Sequence, residues 1–147
     1  MRSTNQSNPA SASRWAGRVL STLAVLFLLW DGVIKLMVLA PVAEAFARLG
    51  YSVSLAFAIG LLELACLALY VVPRTSLLGA VLLTGFLGGA VATHVRVDDP
   101  LLTHTFFPVY VGAMVWGGLL LRDERVRAVV RPAAPSAGLS AEVSPRL

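Results

Sequence analysis

Two long uncharged runs constrain the fold of this chain more than any other feature. No Asp, Glu, Lys or Arg occurs between Arg74 and Arg96, or between Asp99 and Arg122. Each run matches the ~20 residues that a helix needs to cross ~30 Å of hydrocarbon. Hydrophobic residues make up 57% and charged residues 14% of the 147 positions, which is too apolar for a soluble domain of this size. The sequence therefore predicts an integral membrane protein.

Two further apolar segments bring the predicted number of spans to four. The first is interrupted by Asp31 and Lys35, and the second by Glu63. The predicted spans are residues 15–39, 52–72, 75–95 and 104–122. They form an all-α membrane domain over residues 14–131, in which four helices pack as a bundle. Residues 1–13 and 132–147 have no apolar period and are predicted to be disordered tails.

A short amphipathic helix is predicted between spans one and two. Pro41 suits the first turn of a helix, and Gly50 suits its end. The apolar face comprises Val42, Ala45, Phe46 and Leu49. On the other face, Glu44 and Arg48 have the spacing of a helical ion pair. We expect this helix to lie in the membrane interface or to cover the bundle.

The arginines predict the orientation of the spans. If both termini are cytoplasmic, that side carries Arg2, Arg14, Arg18, Arg74, Arg122, Arg125, Arg127 and Arg131. The opposite side then has only Lys35, Arg48 and Arg96, so the positive-inside rule favours cytoplasmic termini. A cleaved signal peptide is the alternative, with Ala43-Glu44-Ala45 as the site, but that site lies too far beyond the uncharged run. Basic residues that flank spans do not form a nucleic-acid surface.

Asp31 and Lys35 lie one helical turn apart within the first span. A charge in mid-bilayer costs roughly 3 kcal/mol on insertion scales, so such residues usually face protein and find a partner. Glu63 is expected near the middle of span two. These residues predict a polar pocket or proton path in the bundle. The structural alternative is that Asp31–Lys35 only locks the fold and that Glu63 is protonated and bonded to a neighbouring helix.

Two histidines and one arginine are expected on the same side of the membrane as this cluster, at the outer mouth of the bundle. His94 ends span three, His104 begins span four, and Arg96 lies on the rim. Two imidazoles on facing helix ends could bind a metal or haem. No His-x-x-x-His pair supports that idea, so no metal site is predicted. The single cysteine, Cys66, excludes a disulfide or a Cys-x-x-Cys pair within the chain.

Small residues recur every four positions in span three. One stripe comprises Ala80, Thr84, Gly88 and Ala92, and a second comprises Gly85, Gly89 and Thr93. Such stripes let helix backbones approach closely. We expect them to pack within the bundle, for instance against Gly112, Ala113, Gly117 and Gly118 of span four, with a dimerisation face as the alternative.

Four short motifs in succession resemble the DoxX-like family of small bacterial membrane proteins. They are GVIKL at 32–36, GLLEL at 60–64, Pro73 and AVATH at 90–94. The resemblance covers about residues 15–127 and implies a four-span bundle in the bacterial cytoplasmic membrane. The family takes its name from an association with a terminal quinol oxidase and thiosulfate:quinone chemistry. Lys35, Glu63 and His94 occupy motif positions, without an implied catalytic role.

These observations favour an accessory or small-ligand-binding component of membrane redox or envelope stress processes. Its pocket would be formed by Asp31, Lys35, Glu63 and His94, with Arg96 and His104 nearby. The alternative is a quinone-interacting subunit in which Glu63 or His94 exchanges protons with the quinone while a partner protein supplies electrons. A transporter is less favoured because no inverted repeat is visible. The sequence has no Ser-His-Asp order or phosphate loop, so a stand-alone enzyme is not expected. Lipid, a partner membrane or redox protein and a second copy of the chain are the expected partners.

Overall fold

The computed structural model describes residues 9–130 as α-helices joined by short connections, with no strand in that range. The helices are α1 (Pro9–Leu36), α2 (Ala40–Arg48), α3 (Leu55–Val71), α4 (Ser76–Arg96), α5 (Phe107–Arg122) and α6 (Glu124–Val130). A π-helical turn, Leu101–Thr105, leads into α5. The predicted all-α class is confirmed for these residues. The predicted tails at 1–8 and 132–147 lie outside them.

Three helical stretches between residues 9 and 130 are long and apolar enough to cross a membrane: Ser11–Leu36, Ser76–Arg96 and Leu101–Arg122. Helix α3 is also apolar but has 17 residues, which gives it a length of about 25 Å. Large apolar side chains cover the outside of the helices, including Leu26, Phe57 and Val81, each more than half exposed. This surface is that of a membrane protein. Crossing by α3 stays a prediction.

The four longer helices pack in the ring order α1–α3–α4–α5, with α5 returning to α1. Glycines allow three of these contacts. A Cβ added at Gly60 of α3 would lie 2.9 Å from the Gly32 carbonyl oxygen of α1, and one added at Gly17 would lie 2.8 Å from the Arg122 nitrogen. A Cβ at Gly79 of α4 would overlap the backbone of Tyr70. The helices therefore meet backbone to backbone at these positions.

The expected close packing of the span-three stripes is wrong for Gly85, Gly88 and Gly89. A Cβ at any of them would meet no atom within 4 Å. The reason is the rotation of α4: all three glycines lie on its exposed face, whereas Gly79 is buried and faces Tyr70 of α3 beside the connecting turn. Spacing in the sequence identified a small-residue face but not what lies against it.

The end of the ring that contains the α3–α4 turn is solidly filled, and we call it the packed end. Tyr70 is fully buried there, and its hydroxyl donates to the Val115 carbonyl at 2.9 Å. The same hydroxyl lies 3.0 Å from Ser21 Oγ, so the polar group is satisfied twice. Leu83 and Leu119 are also fully buried. This end forms the main apolar core.

Helix bounds differ from the predictions at the N-terminus. Residues 9–13, predicted as part of a disordered tail, continue α1 because small residues follow a proline that suits the first helical turn. Pro108 lies in the first turn of α5, where the missing amide proton of proline costs little. Gly50 follows α2 with φ +72°, a left-handed conformation that glycine adopts readily, so its predicted capping role is confirmed.

Helix α2 lies at the other end of the ring, which we call the cavity end. Val42 and Phe46 are buried against Ala56 of α3, whereas Glu44 is exposed. The predicted Glu44–Arg48 pair is replaced by a contact of Arg48 with Asp99. The position of α2 relative to a membrane surface stays a prediction.

Candidate functional site

Asp31, Lys35 and Glu63 form one ionic cluster, which we call the triad. Lys35 Nζ donates to Asp31 Oδ2 at 2.5 Å and to Glu63 Oε2 at 2.8 Å. The first contact stays within α1, whereas the second joins α1 to α3. Lys35 therefore contacts carboxylates on two helices at once.

The glycine motifs explain why this contact forms. Gly32 precedes Lys35 by three residues and Gly60 precedes Glu63 by three, so each glycine shares a helix face with its charged neighbour. A Cβ at Gly60 would lie 2.8 Å from Lys35 Cβ, which shows how close the two helices come. Each Gly-x-x-charge motif thus combines a close backbone crossing with a side chain placed to bridge it.

Glu63 is the most deeply buried member of the triad. Its side chain has 0% exposure, compared with 15% for Lys35 and 33% for Asp31. Glu63 Oε1 has no hydrogen-bond partner among residues 9–130. When both carboxylates are ionised, two negative charges share one ammonium group. The triad then carries one uncompensated negative charge beside an unpartnered buried oxygen, an arrangement that is costly in an apolar environment.

A cavity of about 590 Å³ opens beside the triad at the cavity end. Asp31 and Lys35 border it from α1, whereas Glu63 lies behind Lys35 and does not reach the lining. Most of the wall is apolar, and it includes five aromatic rings: Phe27, Phe46, Tyr51, Phe86 and Phe107. Its size is within the ~300–1,000 Å³ that is typical of small-molecule sites.

The aromatic rings are held in fixed relations. Phe27 of α1 meets Phe107 of α5 edge to face, with centroids 5.1 Å apart. Lys35 Nζ lies 5.7 Å from the centroid of Phe86 on α4. Tyr51, which precedes α3, hydrogen-bonds Thr93 of α4 at 3.1 Å. Side chains from every helix of the ring therefore define the cavity.

Helix α2 and residues 49–51 cover the cavity, and we call them the roof. Asp99 holds the roof to the loop after α4, because it accepts from Arg48 Nη1 of α2 and, at 2.5 Å, from His94 Nδ1 of α4. Arg96 adds a second connection, donating to the Leu49 carbonyl. His94, a predicted site residue, thus borders the cavity while it anchors the roof.

The donors around Asp99 stabilise its ionised form. The hydrogen bond from His94, followed by that from Arg48, holds the pKa of Asp99 below its usual range. Asp99 lies in the loop between α4 and the π-helical turn, outside the predicted spans. The roof is therefore attached through a carboxylate that stays charged under ordinary conditions.

Arg96 and His104 do not border the cavity. The Arg96 guanidinium lies 5.2 Å from the Tyr51 ring centroid and supports the roof from outside. His104 is exposed in the π-helical turn, where its Nδ1 lies 2.9 Å from Thr103 Oγ1. Its ring centroid is 6.2 Å from that of His94. Residues 9–130 contain no group of three or more His, Cys, Asp or Glu side chains arranged to hold a metal.

Sequence reasoning missed two kinds of site residue. Asp99 was assigned no contact and Arg48 was paired with Glu44, although Asp99 and Arg48 together attach the roof. The phenylalanines were counted as apolar residues of spans. A weak signal was available, since Phe27 and Asp31 are four residues apart on one face of α1.

Comparison with known proteins supports the family suggested by the motifs. The DoxX-like family model matches residues 19–118, more than half of the chain. This range contains the triad, the cavity wall and the roof. No curated protein and no solved structure matches the chain significantly. The chain belongs to the DoxX-like family.

Proposed function

We propose that this protein crosses the bacterial cytoplasmic membrane four times and binds a small amphiphilic molecule in its cavity. The observation that carries the proposal is the combination of a largely apolar cavity with one charged edge at Asp31 and Lys35. A ligand with an apolar body would occupy the aromatic walls. Its polar group would reach the triad or His94.

The proposed fourth span is α3. It packs between α1 and α4 in the ring, so a bilayer that surrounds those two helices also surrounds α3. Its 17 residues match a somewhat thinned bilayer, and mismatch of a few Å costs only fractions of a kcal/mol per Å. The arginine asymmetry supports cytoplasmic termini. The cavity would then face the non-cytoplasmic half of the membrane.

Within the cell, we assign the protein to membrane redox or envelope stress processes as an accessory, ligand-binding component. A partner membrane or redox protein would act on the bound molecule or sense it. Support comes from the site itself, which offers hydrogen-bonding and ionic groups without the nucleophile–base pairs expected of a hydrolase. The exposed apolar side chains on the outside of the helices would contact lipid.

A second candidate function is a quinone-interacting subunit. It is favoured by the aromatic wall, which suits a flat ring, and by Lys35 and His94, whose N–H groups could donate to quinone oxygens. Glu63 or His94 would exchange protons with the quinone, and electrons would come from a partner protein. A bound quinone would distinguish this function from the first.

The test is to identify small molecules that accompany the protein when it is purified in a native-lipid nanodisc. Gly89 borders the cavity and has open space at its Cβ position, so Gly89→Phe should fill the cavity without a backbone clash. Gly85→Phe is the matched control, since Gly85 is equally open but does not border the cavity. We expect mass spectrometry to find a molecule enriched with wild type and Gly85→Phe and depleted with Gly89→Phe. Equal recovery from all three proteins would contradict the proposal.

A further inference from the structure

The charge balance of the triad limits which ligand the cavity can accept. Lys35 is already engaged with both carboxylates, at 2.5 and 2.8 Å, so its charge is not free to attract an anion. Asp31 has the most exposed side chain of the three and borders the cavity. With both carboxylates ionised, the triad presents an excess negative charge there.

The cavity wall adds a second preference. Aromatic faces attract cations through the negative charge of their π-systems, and the attraction grows when water is excluded. Phe27, Phe86 and Phe107 border the cavity together with Asp31. Rings around a carboxylate form an arrangement that suits an organic cation better than a neutral molecule or an anion.

We infer that the cavity binds an amphiphilic organic cation, such as a substituted ammonium ion, in exchange for a proton held by Glu63. The inference rests on the proposed ligand-binding function. In the empty site, a proton on Glu63 Oε1, the oxygen without a hydrogen-bond partner, compensates the excess charge. When the cation contacts Asp31, it neutralises that carboxylate, and Lys35 is left to neutralise Glu63. Glu63 then loses its proton to solvent, so one positive charge enters and one leaves.

The surroundings of Glu63 leave few other groups to take part. On α1 the facing groups are Asp31 and Lys35, and on α3 Cys66 lies one turn further along and is buried. Helix α4 contributes His94 to the cavity, where it is bonded to Asp99, and α2 contributes Arg48, also bonded to Asp99. Helix α5 contributes no titratable side chain to the cavity wall.

The test compares two ligands of the same shape on wild-type protein in nanodiscs of zwitterionic lipid. One is the 4-phenylbutyl-trimethylammonium ion, and the other is its neutral isostere with carbon in place of nitrogen. We expect the cation to bind at least ~10-fold more tightly, a difference of ~1.4 kcal/mol. Its affinity should increase by up to about tenfold per pH unit until Glu63 is deprotonated in the empty protein, because binding releases one proton.

Variants and spectroscopy locate the exchanged proton. Glu63→Gln should abolish both the proton release and the pH dependence, and Asp31→Asn should weaken the cation at least ~10-fold. Glu44→Gln, which removes an exposed carboxylate outside the cavity wall, is the control and should change neither. In wild type, cation binding should remove the infrared carbonyl band of a protonated carboxyl group, a readout that requires no variant to fold.

The outcomes separate this inference from the function on which it rests. If the neutral isostere binds as tightly as the cation, or if the cation binds without proton release, the inference is wrong and the amphiphile-binding function stands. If neither ligand binds and Gly89→Phe depletes no native molecule, both are wrong.

Discussion

The packed end and the cavity end of this protein each bury polar groups between α1 and α3. The two ends differ in how completely those groups are hydrogen-bonded. At the packed end, the Tyr70 hydroxyl contacts Ser21 and the Val115 carbonyl, so a neutral group is fully satisfied. At the cavity end, Lys35 joins two carboxylates, and Glu63 Oε1 stays without a partner in the described chain. The comparison indicates that the first end satisfies its buried polar group, whereas the second retains an electrostatic cost.

The largest expected effect comes from removing the ammonium of the triad. Lys35→Met leaves Asp31 and Glu63 without a counter-charge, and breaking a buried ion pair in this way costs about 3–5 kcal/mol. Replacing all three with apolar residues (Asp31→Leu, Lys35→Met and Glu63→Met) should recover most of that loss. Thermal unfolding followed by size-exclusion chromatography measures both variants. Equal instability of the triple variant would show that packing, not charge, stabilises this region.

Overpacking the packed end should have the next largest effect. Gly79→Ala places a Cβ in the backbone of Tyr70, and we expect a loss of about 3 kcal/mol because backbone cannot move aside as a side chain can. Gly88→Ala is the matched control on the same helix, with open space at its Cβ position. It should be neutral or stabilise by up to about 1 kcal/mol through helix propensity. Similar unfolding temperatures for the two variants would contradict the tight backbone packing at Gly79.

A smaller loss of stability is expected when the hydrogen-bonded hydroxyl of Tyr70 is removed. Tyr70→Phe leaves Ser21 and the Val115 carbonyl without the hydroxyl, which should cost about 1–2 kcal/mol. Tyr110→Phe, at an exposed tyrosine of α5, is the control and should change the unfolding temperature little. We further expect Tyr70→Phe to leave ligand binding unchanged, since Tyr70 does not border the cavity. A change in ligand affinity would mean that the two ends are coupled.

The smallest effect concerns the attachment of the roof. The lowered pKa of Asp99 means that its ionised form stabilises the folded state above the pKa of an unfolded Asp, about 3.9. That contribution is lost as pH falls through the lower folded-state value. Amide hydrogen exchange of α2 should therefore accelerate at pH values below about 4, beyond its intrinsic pH dependence. Asp99→Asn should show the faster exchange at every pH, whereas Asp98→Asn should behave as wild type.

Much of the fold could be predicted because it follows from local properties of the chain. Uncharged runs located α4 and α5, and Pro41 and Gly50 marked the start and the end of α2. The bounds of α1 were less predictable, since small residues such as those at 9–13 are compatible with both coil and helix. Close packing at Gly79, but not at Gly88, depends on which face of α4 is turned towards α3, which no spacing within one helix encodes.

The depth of the candidate site residues along their helices could be predicted from the sequence, but the directions in which their side chains point could not. Helical rise placed Asp31 in the outer half of span one and Glu63 near the middle of span two, and the sequence paired Asp31 with Lys35. It did not show that Lys35 also reaches Glu63, which requires the rotation of α3 about its own axis. As a consequence, replacing only Asp31 and Lys35 with apolar residues would leave Glu63 uncompensated. Arg48 was paired with its local neighbour Glu44, and its contact with Asp99 was missed because a contact over 51 positions leaves no local pattern.

The separation of Arg48 and Asp99 along the chain also sets the order in which the protein can be completed during synthesis. Lys35 enters the membrane together with Asp31, one turn earlier, so the two charges accompany each other before α3 exists. The contact with Glu63 becomes available once α3 follows. In contrast, the roof cannot be attached to Asp99 until that residue has been synthesised, which happens only after α4. A nascent chain that stops before Asp99 therefore contains all three residues of the triad but lacks the carboxylate that attaches the roof, so the cavity is covered only after the triad is available.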